Sequence, residues 1–215
     1  INNEFDQIDE AKRQCNAELA RKKIASGDSM RSHTIDLIMQ TLFEKNPREN
    51  KHSNRVSKLC VNIGKMIGMN KEDLNELKIA GLMHDIGKIG IPEKILNKPG
   101  KLTNEEWIEM KRHSEIGYRI LNSVPELSQV ALYVLQHQEK WDGTGYPLGL
   151  KENDISLAAR IICIADSYDA MTSERTYRQK MTKEEAIEEL KRCSGTQFDP
   201  SIISKLLEHI DQFDI

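Results

Sequence analysis

Gly81-Leu82-Met83-His84-Asp85-Ile86-Gly87-Lys88 sets an imidazole beside a carboxylate at the end of an apolar helical run. Adjacent side chains on a helix point about 100° apart, so His84 and Asp85 can face a common centre only near a helix end. Gly87 supplies that end, as a residue that stops a helix or permits a tight turn. Imidazole and carboxylate oxygen together suit divalent iron, manganese or zinc. Lys88, one turn beyond His84, can bring positive charge to a phosphate held there. Taken alone, the octet reads equally well as a plain helix C-terminus, with a hydrogen-bonded histidine and a lysine that complements the dipole.

On either side of the octet the sequence reads as helix. Asn70 caps the helix from Lys71 through Leu74, Leu77, Ala80 and Met83. Before it, Arg48 to Met69 places Val56, Leu59, Cys60, Ile63 and Ile67 on one side, with His52 one turn ahead of Val56. Earlier still, Ser29 to Lys45 carries Ile35, Ile38, Met39, Leu42 and Phe43 on one face. After the octet, Ile89 to Pro92 is an apolar loop leading to a short helical turn. Thr103 and Glu106 then form a capping box that opens a helix through Trp107 and Met110 to His113, Ile116, Ile120 and Leu121. Pro125 opens the next, Glu126 to about His137. The tract from Gln138 to Gly149 holds three glycines, a proline and two aromatics, more than a connection needs. Helix returns from Ser156 to Met171, with Asp166 and Asp169 about one turn apart. Thr182 with Glu185, and Asp199 with Pro200, open the last two helices. No segment reads as a strand, so the expected fold is all-α.

The first 28 residues differ in character. Apolar residues at Ile1, Phe5, Ile8, Cys15, Leu19 and Ile24 approach a heptad seam, interrupted by Lys12 and Lys22. This suits a signalling helix that joins an upstream sensor to the domain and could dimerise there; the alternative is an amphipathic helix packed on its own domain. Ser26-Gly27-Asp28 marks the boundary, giving residues 1–28 as linker and 29–215 as the main domain. The start at Ile1 suggests a piece of a longer protein. With 31 basic and 34 acidic residues, net charge −3, there is no electrostatic case for nucleic acid. Four scattered cysteines suit free thiols in a reducing compartment, and no segment could span a bilayer.

His52, His84, His113 and His137, with Asp85 and Asp166, all occupy apolar helix positions or helix ends. Any one of them alone reads as a core residue with a private partner. Six metal-type ligands on five successive helical segments read better as one centre. His33 and His209 fall on polar or terminal segments and are left out of it.

In that order these residues resemble the HD metal-dependent phosphohydrolase superfamily. The stretches His84 to Lys88, Asp142-Gly143-Thr144-Gly145-Tyr146-Pro147 and Ala165 to Ser173 resemble its HD-GYP subfamily, whose members hydrolyse cyclic di-GMP. The likeness covers about residues 30–212 and implies a helical bundle of HD type after the linker helix. It implies one metal on His52, His84, Asp85 and Asp166, with Asp85 bridging to a second that also takes His113 and His137. The two ions, iron or manganese in the absence of cysteine ligands, would acidify a bridging water. Lys88 would stabilise charge at phosphorus. Tyr146, Asp169, Arg175 and Arg178 would line the substrate groove, the arginines for phosphate, Asp169 for a guanine edge and Tyr146 for base stacking.

Two positions depart from the family pattern. Gln138 stands where many members carry a second histidine after His137, so it is a weak ligand at best for the second metal. Arg48 stands where members with a third metal carry glutamate, with Glu49 one residue late. A two-metal centre, and with it pGpG as product, is therefore expected. The resemblance thus implies a bacterial, cytoplasmic cyclic di-GMP phosphodiesterase acting as the output of a sensor protein. Two alternatives stay open: a cyclic-dinucleotide- or partner-binding module with little turnover, and an enzyme for another cyclic dinucleotide such as cyclic GMP-AMP.

Overall fold

In the computed structural model, residues 46–215 form one compact unit, of which 47–173 and 180–209 are described. The expected helices over 1–28 and 29–45, and with them His33, lie outside the described residues, as do Arg175 and Arg178. What is described is helical, without a named strand; the one β-type pairing is an isolated bridge between Ser194 and Phe198. The helices are α1 (Pro47–Met66), α2 (Lys71–Met83), α3 (Glu93–Leu96), α4 (Asn104–Lys111), α5 (His113–Asn122), α6 (Ser128–Gln136), α7 (Leu157–Thr172), α8 (Lys183–Arg192) and α9 (Pro200–Glu208).

Several starts are fixed by the expected caps. Asn70 accepts from the backbone N–H groups of Glu72 and Asp73. Thr103 with Glu106 and Thr182 with Glu185 form complete capping boxes. Asp199 accepts from Ser201 with Pro200 at the tolerated first position. Each cap satisfies N–H groups that the helix itself cannot.

The core lies between α1, α2 and α7. Val56, Leu59, Cys60 and Ile63 meet Leu77, Ala80 and Met83, with Ile161, Ile162, Ile164 and Ala165 behind them, all buried; Ile67 is only half-buried. α1 and α2 cross closely at Gly81, where a Cβ would stand 3.1 Å from Ser57 Cα and from Cys60 Sγ. α7 is buried nearly all round, as its long apolar sequence requires.

Two differences from the sequence reading shape the site. The helix expected to run unbroken from Thr103 to Leu121 is two helices, α4 and α5, meeting at Arg112, so His113 opens a helix instead of lying inside one. Of the two roles open to Gly87 the structure shows the tight turn, without a positive φ, and adds a requirement the sequence did not indicate. Gly87 lies in a 3-10 turn over Ile86–Gly90, where a Cβ would fall 1.8 Å from the carbonyl oxygen of His113. Glycine is required there by the close approach of two backbones.

Candidate metal centre

The last carbonyls of a helix have no partner within it. Three histidines use that shortage. His84 follows α2 and its Nδ1 donates to the Gly81 carbonyl at 2.9 Å; His113 follows α4 and donates to Met110 at 2.9 Å; His137 follows α6 and donates to Val134 at 2.6 Å. A carbonyl can only accept, so each Nδ1 carries a proton and Nε2 is left as the ring atom free to meet a metal; burial keeps His113 and His137 neutral there, whereas burial of His84 is outweighed by Asp85 and Asp166, which favour its protonated form. His52 sits inside α1, where no carbonyl is spare. Its Nδ1 instead meets Asp169 Oδ2 at 2.7 Å, and Asp169 is gripped by Arg55 through Nε at 2.5 Å and Nη2 at 3.0 Å.

All four Nε2 atoms point to one centre. His52 Nε2 lies 3.3 Å from Asp166 Oδ1 and 3.8 Å from Asp85 Oδ2. His84 Nε2 lies 3.2 Å from Asp85 Oδ2 and 3.9 Å from Asp166 Oδ1. On the other side, His113 Nε2 is 3.6 Å from Asp85 Oδ1 and 3.3 Å from His137 Nε2. The donor atoms thus form two groups that share Asp85: His52, His84, Asp85 and Asp85, His113, His137. Asp166 closes the first.

The centre fits cations on its own chemistry. His84 Nε2 is fully buried and has no hydrogen-bond partner. The Nε2 atoms of His113 and His137, both with Nδ1 already donating, oppose lone pair to lone pair at 3.3 Å. Buried acceptors facing acceptors and carboxylates are unfavourable unless positive charge stands between them. Without a metal, protons supply part of it. Burial pushes the His52 imidazolium down, but its bonds to Asp166 and Asp169 and the charge of Asp85 outweigh that and hold its pKa at about 9. Burial drives His137 the other way, helped by the neighbouring His113 and His84, to about 3. Burial would also raise Asp85, yet Lys88, His84 and His113 keep it well below the usual carboxylate range.

Lys88 projects from the 3-10 turn to the same carboxylate, its Nζ 2.6 Å from Asp85 Oδ2 and 3.5 Å from Glu49 Oε2. Tyr146 lies at the rim, its ring centroid 6.2 Å from that of His113, with Trp107 6.3 Å beyond and Lys111 Nζ 5.8 Å from the Tyr146 ring. The loop that carries Tyr146 is organised by Glu139. This buried carboxylate accepts from the backbone N–H of Leu148 at 2.7 Å and of Leu150 at 3.1 Å. Gly145 allows the loop to fold onto it, since a Cβ there would lie 2.5 Å from Glu139 Cα.

The structure therefore brings together His52, His84, Asp85, Lys88, His113, His137 and Asp166, with Tyr146 beside them. Gln138 contributes its backbone carbonyl to Tyr146 N at 3.2 Å. Asp169 requires a correction: expected to read a guanine edge, it is 3% exposed and spends both oxygens on His52 and Arg55. The sequence reading missed Arg55, Glu139 and Trp107. Arg55 is one turn from His52, but its partner is 114 residues away, so nothing local marks it.

A model of the HD domain matches residues 36–202. A cyclic di-GMP phosphodiesterase of Thermotoga maritima is 42% identical over 174 residues, covering 80% of this chain and 47% of that protein. A 3'3'-cGAMP-specific phosphodiesterase of Vibrio cholerae is 42% identical over 164 residues, covering 75% of this chain and 31% of its own. The chain spans less than half the length of either. The solved structure of an HDG"Y"P protein from Bdellovibrio bacteriovorus superposes with a TM-score of 0.62 at 23% identity over 76% of this chain and 52% of that one, a likeness of fold. The chain belongs to the HD domain family, within which its motifs are of the HD-GYP type.

Proposed function

We propose that the domain is a metal-dependent phosphodiesterase that opens cyclic di-GMP to linear pGpG. The observation that carries the reading is the set of four imidazoles, each with its Nδ1 already donating, turned with Nε2 toward two carboxylates. A buried cluster of this kind holds divalent cations better than it holds itself.

Two ions, iron or manganese by this donor set, would be held by His52, His84, Asp85, Asp166 and by Asp85, His113, His137, with Gln138 at most a weak additional donor. When bound, they would supply an acidified water and neutralise phosphoryl oxygens. Lys88, held over Asp85, keeps a cation beside the place where charge builds at phosphorus. Tyr146, with Trp107 47% exposed next to it, offers ring surface to a base. Arg175 and Arg178 are assigned to the substrate phosphates by the family pattern. Residues 1–28 are read as the input helix from an upstream sensor, able to pair with a second copy, in a bacterial cytoplasmic protein.

A second reading has one observation in its favour: the Vibrio cholerae relative specific for 3'3'-cGAMP is as similar in percentage identity as the cyclic di-GMP enzyme. The test is anaerobic purification, metal analysis, and chromatography of products from each cyclic dinucleotide, with His84→Ala as control. About two metals per chain and pGpG formed faster than the cyclic GMP-AMP product supports the first reading. The reverse preference supports the second. Metal bound with neither substrate opened leaves a binding module.

A further inference from the structure

The four histidines of the centre are not held alike. His84, His113 and His137 stand at helix ends and are fixed by the backbone three residues earlier. His52 stands inside α1, and its orientation depends on a side chain from another helix, Asp169 of α7. Asp169 is in turn fixed by the fork of Arg55, one turn along α1 from His52. The carboxylate is almost wholly enclosed, while the Arg55 side chain is 37% exposed. A planar guanidinium bonding both oxygens of a carboxylate leaves it little freedom to rotate.

We propose that Asp169 and Arg55 are a positioning pair for His52. On this account they set the tautomer and direction of one ligand and tie the first cation site to α7, which also carries Asp166. The inference rests on the metal-centre reading above. Three features carry it. The contact between Asp169 and His52 is short and buried. It replaces a backbone tether that a mid-helix histidine lacks. The same carboxylate is 3% exposed and has three of its four acceptor positions taken, which leaves a nucleobase little to reach. A carboxylate behind a ligating imidazole raises its basicity and fixes its ring, and losing such a partner typically costs about 10–100-fold in metal affinity. Asparagine cannot substitute. If its oxygen accepts from His52, its amide NH₂ faces the Arg55 donors; if it turns over, it faces the His52 N–H. Arg55→Ala leaves the carboxylate charged but free to rotate, so its effect is smaller and falls on the same site.

The test is titration of Co²⁺ into the metal-free full chain, followed by visible absorption and calorimetry, for wild type, Asp169→Asn and Arg55→Ala. Thermal unfolding of each metal-free protein and the KM for cyclic di-GMP are measured alongside. The expected result is two binding steps in wild type, one of which weakens by about 10–100-fold in Asp169→Asn, less in Arg55→Ala, with an altered spectrum for that step and the other step retained. Both steps unchanged in Asp169→Asn, with a raised KM, would overturn the inference and return Asp169 to the substrate. Both steps lost together with a lowered metal-free melting temperature would overturn it in favour of a purely structural role. A wild type that binds no Co²⁺ would overturn the metal-centre reading itself.

Discussion

Gly87→Ala is the substitution with the most direct geometric consequence. The added methyl would lie 1.8 Å from the His113 carbonyl oxygen, 2.7 Å from its carbon and 2.5 Å from Gly117 N, against ordinary contact at 3.4–4 Å. Every atom it meets is backbone, so no rotamer change relieves it. The 3-10 turn over Ile86–Gly90 and the first turn of α5 must separate by roughly 1.6 Å, the shortfall from ordinary contact at the worst pair. Overpacking that side chains can absorb costs about 1–3 kcal/mol; with backbone on both sides the cost is set at about 3 kcal/mol or more. For a domain of this size that lowers the melting temperature by roughly 6–12 °C. The displacement also carries His113 away from Asp85 and His137, so the second cation site weakens more than the first. Gly68→Ala is the control: nothing lies within 4 Å, and only its φ of +82° is unfavourable, which costs about 1–2 kcal/mol. Scanning calorimetry of the metal-free proteins and Co²⁺ titration measure both effects. If Gly87→Ala melts with or above Gly68→Ala and binds both ions as wild type does, the close-approach argument is wrong.

Two further predictions follow from the same geometry. The metal-free protein is most stable near pH 6.5: His137, with its pKa lowered to about 3, loses stability as pH falls from 6.5, because the unfolded chain takes up a proton that the folded ring refuses. His52, raised to about 9, contributes stability that is complete below 6.5 and lost as pH rises through 9. The full limbs are on the order of 3–5 kcal/mol each, of which about 2 kcal/mol of the acid limb is reached by pH 5, and saturating Mn²⁺, which requires His52 deprotonated at Nε2, should abolish the alkaline limb; melting temperatures from pH 5 to 9.5 with chelator or metal test this, and no alkaline decline in the chelated protein would refute it. Glu139→Ala strands the N–H groups of Leu148 and Leu150, at about 1–3 kcal/mol each, and frees the loop that carries Tyr146. The KM for cyclic di-GMP should rise more than kcat falls, and an unchanged KM would separate this loop from substrate binding.

The all-α fold was legible because its signals are local. Asn70, Thr103 with Glu106, Thr182 with Glu185, and Asp199 with Pro200 are caps whose donors and acceptors lie within three residues of one another. The six candidate ligands were legible because histidine and aspartate on apolar helical segments need a reason to be there. The break at Arg112 was not legible, since Met110 to Ile116 keeps helical periodicity across it while the Arg112 N–H turns to Glu109 and Met110. Gly87 was legible as a glycine of a tight turn, but the backbone approach from α5 that requires glycine there leaves no mark within the octet. Asp169 shows the same limit. Its spacing from Asp166 places the two about one turn apart on α7, and only the position of α1 decides that one faces the centre and the other faces His52.

The tethering pattern explains why the centre is built at helix ends. A histidine that follows a helix can satisfy one of its orphan carbonyls through Nδ1, which fixes both tautomer and direction without any other side chain. Three ligands are set this way, each oriented by a bond within its own stretch of chain. His52 breaks the rule because α1 passes through the centre instead of ending at it. It therefore needs a partner brought by folding, and that partner comes from the helix that also delivers Asp166. The second group, Asp85, His113 and His137, thus draws on α2, α4, α5 and α6, whereas the first is complete only when α7 has docked. The first cation site therefore depends on α7 directly, through Asp166 and Asp169, and the second only through the core that α7 shares with α1 and α2.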